Sequence, residues 1–170
     1  MSTSPSSIRP TSARLLADYL RAKDAQLPHL YDRVFAVDAA FRPTYAVPTP
    51  FGEATPSVGL PAVRETFRRM GTFCENIVTV VPVESLDEQG GRLRSRWVVA
   101  MTVREGGAGF VGWGTYVWTW TPEGDLAVDL AVEFQGMVPF AADEVGHALD
   151  ALLGLSHPWC GRDELAAAVA

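Results

Sequence analysis

Alternation of apolar and polar side chains is strongest in the second half of the chain. Three apolar runs cover 92–104, 110–120 and 125–137, and two short segments rich in glycine or proline, 105–109 and 121–124, separate them. Runs of this length with turn residues between them are typical of β-strands joined by hairpins. The pattern predicts three long antiparallel strands, around which the rest of the chain is organised.

The lengths of the two turns predict how these strands pair. The four-residue turn places Trp120 opposite Asp125, and the five-residue turn places Arg104 opposite Phe110. Because side chains alternate across a sheet, this register defines two faces. The first face mixes aromatic, small and charged residues: Arg94, Arg96, Val98, Ala100, Thr102, Gly112, Gly114, Tyr116, Trp118, Trp120, Ala127, Asp129, Ala131, Glu133 and Gln135. The second face is almost wholly apolar: Leu93, Trp97, Val99, Met101, Val103, Val111, Trp113, Val117, Leu126, Val128, Leu130, Val132 and Phe134.

The chain before these strands is predicted to be mainly helical. Helices begin where a capping residue or a proline precedes a stripe of apolar residues. The other predicted elements are a helix from Thr11 or Ser12, a short helix from Pro28, strands over 39–45 and 77–86, a helix from Pro61, and a last helix over 143–154.

A proline-rich segment interrupts this helical region. Prolines occupy positions 43, 48, 50, 56 and 61, and a segment with so many prolines cannot form a long regular element. It predicts an ordered loop over the mouth of a pocket. Tyr45 and Glu53 lie in or beside this loop, either at the mouth or on the surface.

Composition narrows the class of protein. A chain of 170 residues with 48% hydrophobic and 20% charged residues is typical of one globular domain. The net charge of −6 argues against a nucleic-acid partner. No run approaches the ~20 apolar residues of a membrane span, and the polar start lacks a signal-peptide core, so a cytoplasmic location is expected. Cys74 and Cys160 are expected to be free thiols, and no metal site or cofactor is predicted.

The order of elements and three local segments resemble a known family. The segments are FAVDAAF over 35–41, GLPAVRETF over 59–67 and GDL over 124–126. Over roughly 13–138 the chain is similar to the nuclear transport factor 2-like superfamily, in particular its SnoaL-like polyketide cyclase branch. The resemblance implies an α+β fold in which a cone-shaped, curved antiparallel sheet wraps around N-terminal helices and encloses an apolar pocket. It also implies a homodimer through the back of the sheet. Residues 1–12 would form a disordered tail and 139–170 a C-terminal helical extension.

Catalytic residues of three branches of this family are only partly matched. Tyr19 corresponds to the hydrogen-bonding tyrosine of ketosteroid isomerase, but the base and the acid of that enzyme fall near Pro43 and Tyr116. Limonene epoxide hydrolase needs an arginine and an aspartate on the sheet, whereas Arg94 and Arg96 have no acidic partner. Scytalone dehydratase relies on histidines of the sheet, and none of the three histidines lies in a predicted strand.

The resemblance places the first face inside the cone. Asp129 and Glu133 would then be two carboxylates in an aromatic cavity, where burial raises the pKa of an acid and suits it to proton transfer near neutral pH. The predicted site consists of Asp129, Glu133 and Tyr19 as catalytic residues, with Tyr116, Trp118, Arg96 and Phe67 binding the ligand. The alternative is that the more apolar second face points inward, which leaves both acids in solvent. A bulge near Gly112 or Gly114 would switch the faces partway along the sheet.

Two functions follow from these alternatives. The first is a cofactor-independent acid/base enzyme, a cyclase, isomerase or dehydratase, acting on a hydrophobic small molecule such as a polyketide intermediate. The second is a non-catalytic module of the same fold that binds a small ligand or dimerises. The direction of the Asp129 and Glu133 side chains distinguishes them.

Overall fold

The computed structural model describes residues 4–170 and has an α+β fold, as the sequence predicted. The helices are α1 (Pro10–Asp24), α2 (Leu60–Phe73), α3 (Val145–Leu153) and α4 (Arg162–Ala168), with 3-10 turns at Pro28–Arg33 and Val83–Ser85. The strands are β1 (Phe35–Tyr45), β2 (Ser57–Val58), β3 (Cys74–Pro82), β4 (Asp87–Gln89), β5 (Arg92–Val103), β6 (Gly109–Trp120), β7 (Ala127–Phe140) and β8 (Trp159–Cys160). The three long strands therefore lie where the alternating pattern predicted them.

The strands form one curved sheet in the order β2-β1-β7-β6-β5-β3-β8, with β4 pairing to β5. The pairs β5–β6 and β6–β7 are antiparallel, whereas β1 runs parallel to β7 and β8 runs parallel to β3. The sheet is therefore mixed, while the sequence predicted an antiparallel one.

The predicted register of β5 against β6 is wrong by three residues. Val98 pairs with Trp113, and Met101 rather than Arg104 pairs with Phe110. Arg104 leaves the sheet because it bonds the end of α2: its backbone N–H donates to the Phe73 carbonyl at 3.0 Å and its Nε to the Gly71 carbonyl at 2.7 Å. An odd shift turns every side chain of one strand to the other face.

The predicted bulge near Gly114 is confirmed. The register of β6 against β7 shifts between Trp113 and Gly114, and again between Thr119 and Trp120. Only glycine fits at position 114, because a Cβ there would lie 1.7 Å from the Glu133 carbonyl oxygen. The shift between Thr119 and Trp120, together with the shifted register of β5 against β6, gives the sheet an inner face that mixes both predicted faces.

The inner face of the sheet packs against α1 and α2 to form the main core. Its members are the second-face residues of β5 and β7 and the first-face residues of β6: Leu93, Trp97, Val99, Met101, Leu130, Val132, Tyr116, Trp118 and Trp120. From α1 they meet Leu15, Leu16, Tyr19 and Leu20, all almost completely buried. An interior of this composition is held mainly by burial of apolar area.

The C-terminal residues cover part of the outer face. Val78, Val80 and Ala100 of the sheet pack with Leu152 of α3 and Cys160 of β8 in a second apolar cluster. The C-terminal extension, residues 139–170, therefore covers outer-face positions on β3 and β5. The outer face nearer β7 remains exposed to solvent.

The N-terminal segment contacts β4 at one end of the sheet. Helix α1 begins at Pro10, slightly before the predicted Thr11 or Ser12. Ile8 is 8% exposed, and Arg9 bonds Glu88 through both its backbone N–H and its side chain. The predicted disordered tail over 1–12 is thus wrong for these positions, and residues 1–3 lie outside the described part of the chain. No helix in residues 4–170 is long and apolar enough to cross a membrane.

Candidate functional site

A cavity of about 570 Å³ opens between β1, the proline-rich loop, α2 and the far end of β7. We name it the mouth cavity. Its walls consist of aromatic, proline and aliphatic side chains with a few polar groups: Phe41, Pro43, Tyr45, Pro50, Phe51, Glu53, Thr55, Pro56, Ser57, Val58, Ala62, Glu65, Thr66, Phe67, Arg69, Met70, Phe73 and Phe134. Phe67, which the sequence predicted to contact a ligand, lines this cavity. The loop lies at a cavity mouth, as its prolines predicted.

Aromatic contacts hold the proline-rich loop over the cavity. Phe134 at the end of β7 meets Tyr45 with ring centroids 5.1 Å apart and Phe51 with centroids 5.9 Å apart. Gly52 next to Phe51 has a φ of +77°, a conformation that glycine adopts without strain. The loop is therefore fixed by side-chain packing, since its prolines cannot supply a regular pattern of backbone hydrogen bonds.

One polar pair interrupts the apolar wall. The Ser57 and Thr66 hydroxyl oxygens lie 2.5 Å apart, and the Thr66 hydroxyl donates to the Ala62 carbonyl at 3.1 Å. Ser57 is held in β2 by pairing with Phe41, and it is 8% exposed. The pair is therefore a fixed polar spot in a mostly apolar cavity, as in many ligand pockets.

Charged side chains lie only at the exposed rim. Two hydrogen bonds of 2.7 Å from Arg68 to Glu65 lower the pKa of Glu65, so its carboxylate is ionised at neutral pH. Arg69 lies near the same carboxylate, with its Nε 3.8 Å from Glu65 Oε1, and Glu53 is exposed. Burial raises the pKa of Tyr45, which keeps its hydroxyl protonated. No buried carboxylate or histidine lines this cavity.

The cone interior, where the sequence predicted the pocket, is packed with aromatic rings. Tyr19 lies edge-on against Tyr116 and Trp118, with centroids 5.6 and 5.0 Å apart, and Trp118 is completely buried. Phe67 meets Tyr19 at 5.7 Å and stacks on Tyr31 at 4.8 Å. Phe67 thus separates the packed interior from the mouth cavity, and Tyr19, Tyr116 and Trp118 lie on the packed side.

The environment of Tyr19 and Tyr116 keeps both hydroxyls neutral. Burial raises the pKa of Tyr19 well above its usual value, and the adjacent Tyr116 raises it further. Burial likewise raises the pKa of Tyr116. The indole N–H groups of Trp97 and Trp118 are buried without a hydrogen-bond partner among the described residues. The buried tyrosines and the close ring contacts are typical of a densely packed core, whereas the two unpaired indole N–H groups each cost free energy.

Three predicted site residues lie on the outer face of the sheet. Asp129 accepts two hydrogen bonds of 2.7 Å from Arg42, and Glu133 and Arg96 are exposed. The predicted inward placement of the two acids is wrong because Leu130 and Val132 of the same strand face the core. The catalytic roles predicted for Asp129, Glu133 and Tyr19 stay predictions, and no described contact brings the acids to Tyr19.

Several cavity residues were not predicted from the sequence. Ser57 and Thr66 carry no motif, and nine positions separate them in the chain. Phe134 was assigned to the second face without a role. The available signal was the proline-rich loop itself, which drew attention to Tyr45 and Glu53, and both line the cavity.

Other reactive groups are not arranged as a site. No group of three or more histidine, cysteine, aspartate or glutamate side chains in residues 4–170 is placed to hold a metal ion. Cys74 and Cys160 are free and buried, and burial raises the pKa of each thiol to about 11. Both thiols are therefore protonated at neutral pH and suited to packing rather than to nucleophilic attack.

Similar solved structures share this fold at low sequence identity. An NTF2-like (nuclear transport factor 2-like) protein of unknown function from Burkholderia pseudomallei is 17% identical, with a TM-score of 0.59 over 75% of this chain and 92% of that chain. A ketosteroid isomerase-like protein from Catenulispora acidiphila in complex with trimethylamine is 10% identical, with a TM-score of 0.57 over 69% and 82%. An LEH-like epoxide hydrolase from M. tuberculosis is 12% identical, with a TM-score of 0.55 over 84% and 92%. No protein-family model and no curated protein matches the sequence.

Proposed function

We propose that this chain, which has the nuclear transport factor 2-like fold that its sequence predicted, binds a small hydrophobic molecule in the mouth cavity. The observation that carries the proposal is the cavity itself. Its volume of about 570 Å³ lies within the roughly 300–1,000 Å³ of small-molecule pockets, and its walls are mainly apolar with one buried polar pair. The aromatic contacts of Phe134 with Tyr45 and Phe51 hold the walls in place before a ligand arrives, which lowers the entropic cost of binding.

Binding is better supported than acid/base turnover in this cavity. A general acid or base is most effective when its pKa lies near the working pH, and burial raises the pKa of the lining Tyr45 away from it. Of the lining carboxylates, Glu53 is exposed and Glu65 has a lowered pKa because Arg68 holds it ionised. The names of the neighbours, which include an epoxide hydrolase, are compatible with an enzyme of this fold, but a fold hosts many functions. Cyclisation, isomerisation or dehydration of a polyketide-type substrate therefore stays the second candidate.

The expected cytoplasmic location stays a prediction.

Filling the mouth cavity should abolish binding without unfolding the chain. Ala62 of α2 lines the cavity, and the Ala62→Trp side chain would occupy part of its volume. We expect the affinity for N-phenyl-1-naphthylamine, a neutral hydrophobic dye that fluoresces when buried, to fall at least about tenfold. A fluorescence titration of both proteins measures this change.

The matched control places the same side chain far from the cavity. Ala166 is exposed on α4, which packs beside the outer face of the sheet. Ala166→Trp should bind the dye as the unchanged protein does. Equal dye affinity in Ala62→Trp and Ala166→Trp would show that the dye binds elsewhere and would refute the proposed site.

We further propose that a second copy of the chain covers the open part of the outer face. Trp113 is 42% exposed there and Val138 is 41% exposed, which is unusual for large apolar side chains on one strand pair. Arg96 and Glu133 on the same face supply charges of both signs, and a two-fold interface would bring the same patch of each copy together. The C-terminal extension covers the remainder of this face, so the proposed interface is confined to the side near β7.

A charge in the centre of this surface should separate the two copies. Trp113→Arg is expected to weaken self-association at least about tenfold, because it replaces the apolar area of an indole ring with a charge that must be desolvated in the interface. Sedimentation velocity over a range of concentrations measures it. Leu153→Arg, at an exposed apolar position on α3, should leave the association unchanged. A strictly monomeric unchanged protein would contradict the proposal.

A further inference from the structure

We infer that the ligand of the mouth cavity is an apolar molecule that carries a hydrogen-bond donor, a hydroxyl or an N–H group, directed at Ser57 and Thr66. This inference rests on the proposed function, since it names the class of molecule bound in the same cavity. The structural basis is the acceptor to which each of the two hydroxyl protons of the Ser57–Thr66 pair is donated.

Each hydroxyl has one proton to donate and two lone pairs to accept with. Thr66 donates its proton to the Ala62 carbonyl at 3.1 Å, the bond that a helical threonine commonly makes to the preceding turn. The 2.5 Å contact between the two oxygens then needs the Ser57 proton. The arrangement that keeps both hydrogen bonds uses both protons, and in it the pair offers the cavity only lone pairs: two on Ser57 and one on Thr66.

Reversing the Ser57–Thr66 hydrogen bond would free the Ser57 proton only by breaking the bond from the Thr66 hydroxyl to the Ala62 carbonyl. Ser57 pairs with Phe41 of β1, and Thr66 lies within α2, so both backbones belong to regular elements. Ser57 is almost completely buried, and aromatic rings such as Phe41 and Phe67 form the neighbouring wall. A ligand that covers the pair without donating would leave buried lone pairs unpaired, which costs free energy. A ligand that presents only acceptors would bring lone pairs against lone pairs.

Two neutral molecules that differ only by a methyl group on the same oxygen test this preference. The compound 4-phenylbutan-1-ol donates one hydrogen bond, and its methyl ether accepts but donates none. Displacement of N-phenyl-1-naphthylamine from the unchanged protein should give about fivefold tighter binding of the alcohol, the ratio expected for one net hydrogen bond. Equal affinities, or tighter binding of the ether or of 4-phenylbutyrate, would overturn the inference.

Variants at the pair locate the preference. Ser57→Ala and Thr66→Val, two variants of similar shape to the residues they replace, should each reduce the alcohol-to-ether ratio, and the double variant should bring it close to one. Thr55→Ala removes an exposed hydroxyl from the same cavity and should keep the fivefold ratio. A ratio unchanged in Ser57→Ala would overturn the inference. If the dye binds and the alcohol and ether are equal, only the donor preference fails; if the dye does not bind the mouth cavity, the proposed function fails with it.

Discussion

Replacing Trp118 with alanine should lower the free energy of unfolding by about 4 kcal/mol. Trp118 is completely buried, and it contacts Tyr19 at 5.0 Å, Phe35 at 5.9 Å and Trp120 at 5.4 Å between ring centroids. Truncation removes these contacts and leaves a void that rings fixed on a rigid sheet cannot close. Urea denaturation at pH 7, followed by circular dichroism, measures the change.

Phe73→Ala is the control for loss of an exposed aromatic ring. Phe73 lies at the end of α2 with 38% of its surface exposed, and its removal should cost about 1 kcal/mol or less. Had the interior been an open pocket with Trp118 as one wall, Trp118→Ala would enlarge the pocket at little cost. A loss comparable to that of Phe73→Ala would therefore contradict the packed interior and favour the pocket predicted there from the sequence.

A packed interior accounts for the position of the mouth cavity. Tyr19, Tyr116 and Trp118 fill the space inside the curved sheet, and Phe67 with Tyr31 closes that cluster towards the mouth. The mouth cavity lies beside Pro50 and Pro56 of the loop, which does not pair as a long strand with β1. The ligand is therefore expected near the rim rather than at the centre of the fold.

The strands could be predicted from the sequence because alternation and turn residues are local signals. The relative faces of the strands could not, because they depend on contacts between distant residues. Arg104 lies beyond β5 and bonds Gly71 and Phe73, and β6 contacts β7 through register shifts at Trp113–Gly114 and Thr119–Trp120. Neither contact leaves a periodic signal in the sequence. A bulge near Gly114 was foreseeable only because glycine within a strand favours one.

The same limit applies to the candidate site. Phe67, which the sequence predicted to bind the ligand, lines the mouth cavity, and its binding role stays a prediction; the proline-rich loop indicated the mouth. The side chains of Asp129 and Glu133 were predicted to point inward, but they point outward. Residues four positions apart in a strand share one face, and the register of the strand decides whether that face is the inner or the outer one. The pairing of Ser57 with Thr66 joins a short edge strand to a helix and has no sequence signal.

Glu88→Ala should destabilise the fold by about 3 kcal/mol at neutral pH. The Glu88 carboxylate, 9% exposed, accepts hydrogen bonds from the Ser12 hydroxyl, from Arg9 N at 2.8 Å and Nε at 3.0 Å, and from Trp120 Nε1 at 3.1 Å. It joins the start of α1 to β4 and to the end of β6. Without the Glu88 carboxylate, the buried Trp120 N–H and the Ser12 hydroxyl lose their acceptor. The contacts that hold the start of α1 against β4 and β6 therefore weaken.

The loss caused by Glu88→Ala should depend on pH in a defined direction. Burial raises the pKa of Glu88, but the hydrogen bonds from Ser12 and Arg9 together outweigh it, so the pKa lies below its ordinary value. A lowered pKa in the folded state stabilises the fold above the unfolded pKa of about 4.3, and this contribution disappears as the pH falls through the folded value. Urea denaturation should therefore show a large difference in the free energy of unfolding between Glu88→Ala and the unchanged protein at pH 7, and a smaller difference near pH 3.

The control is Glu123→Ala, which removes an exposed glutamate in the turn before β7. It should change the free energy of unfolding by less than about 0.5 kcal/mol at either pH. A difference for Glu88→Ala that stays constant with pH would mean that the carboxylate contributes by its shape alone and not by its charge.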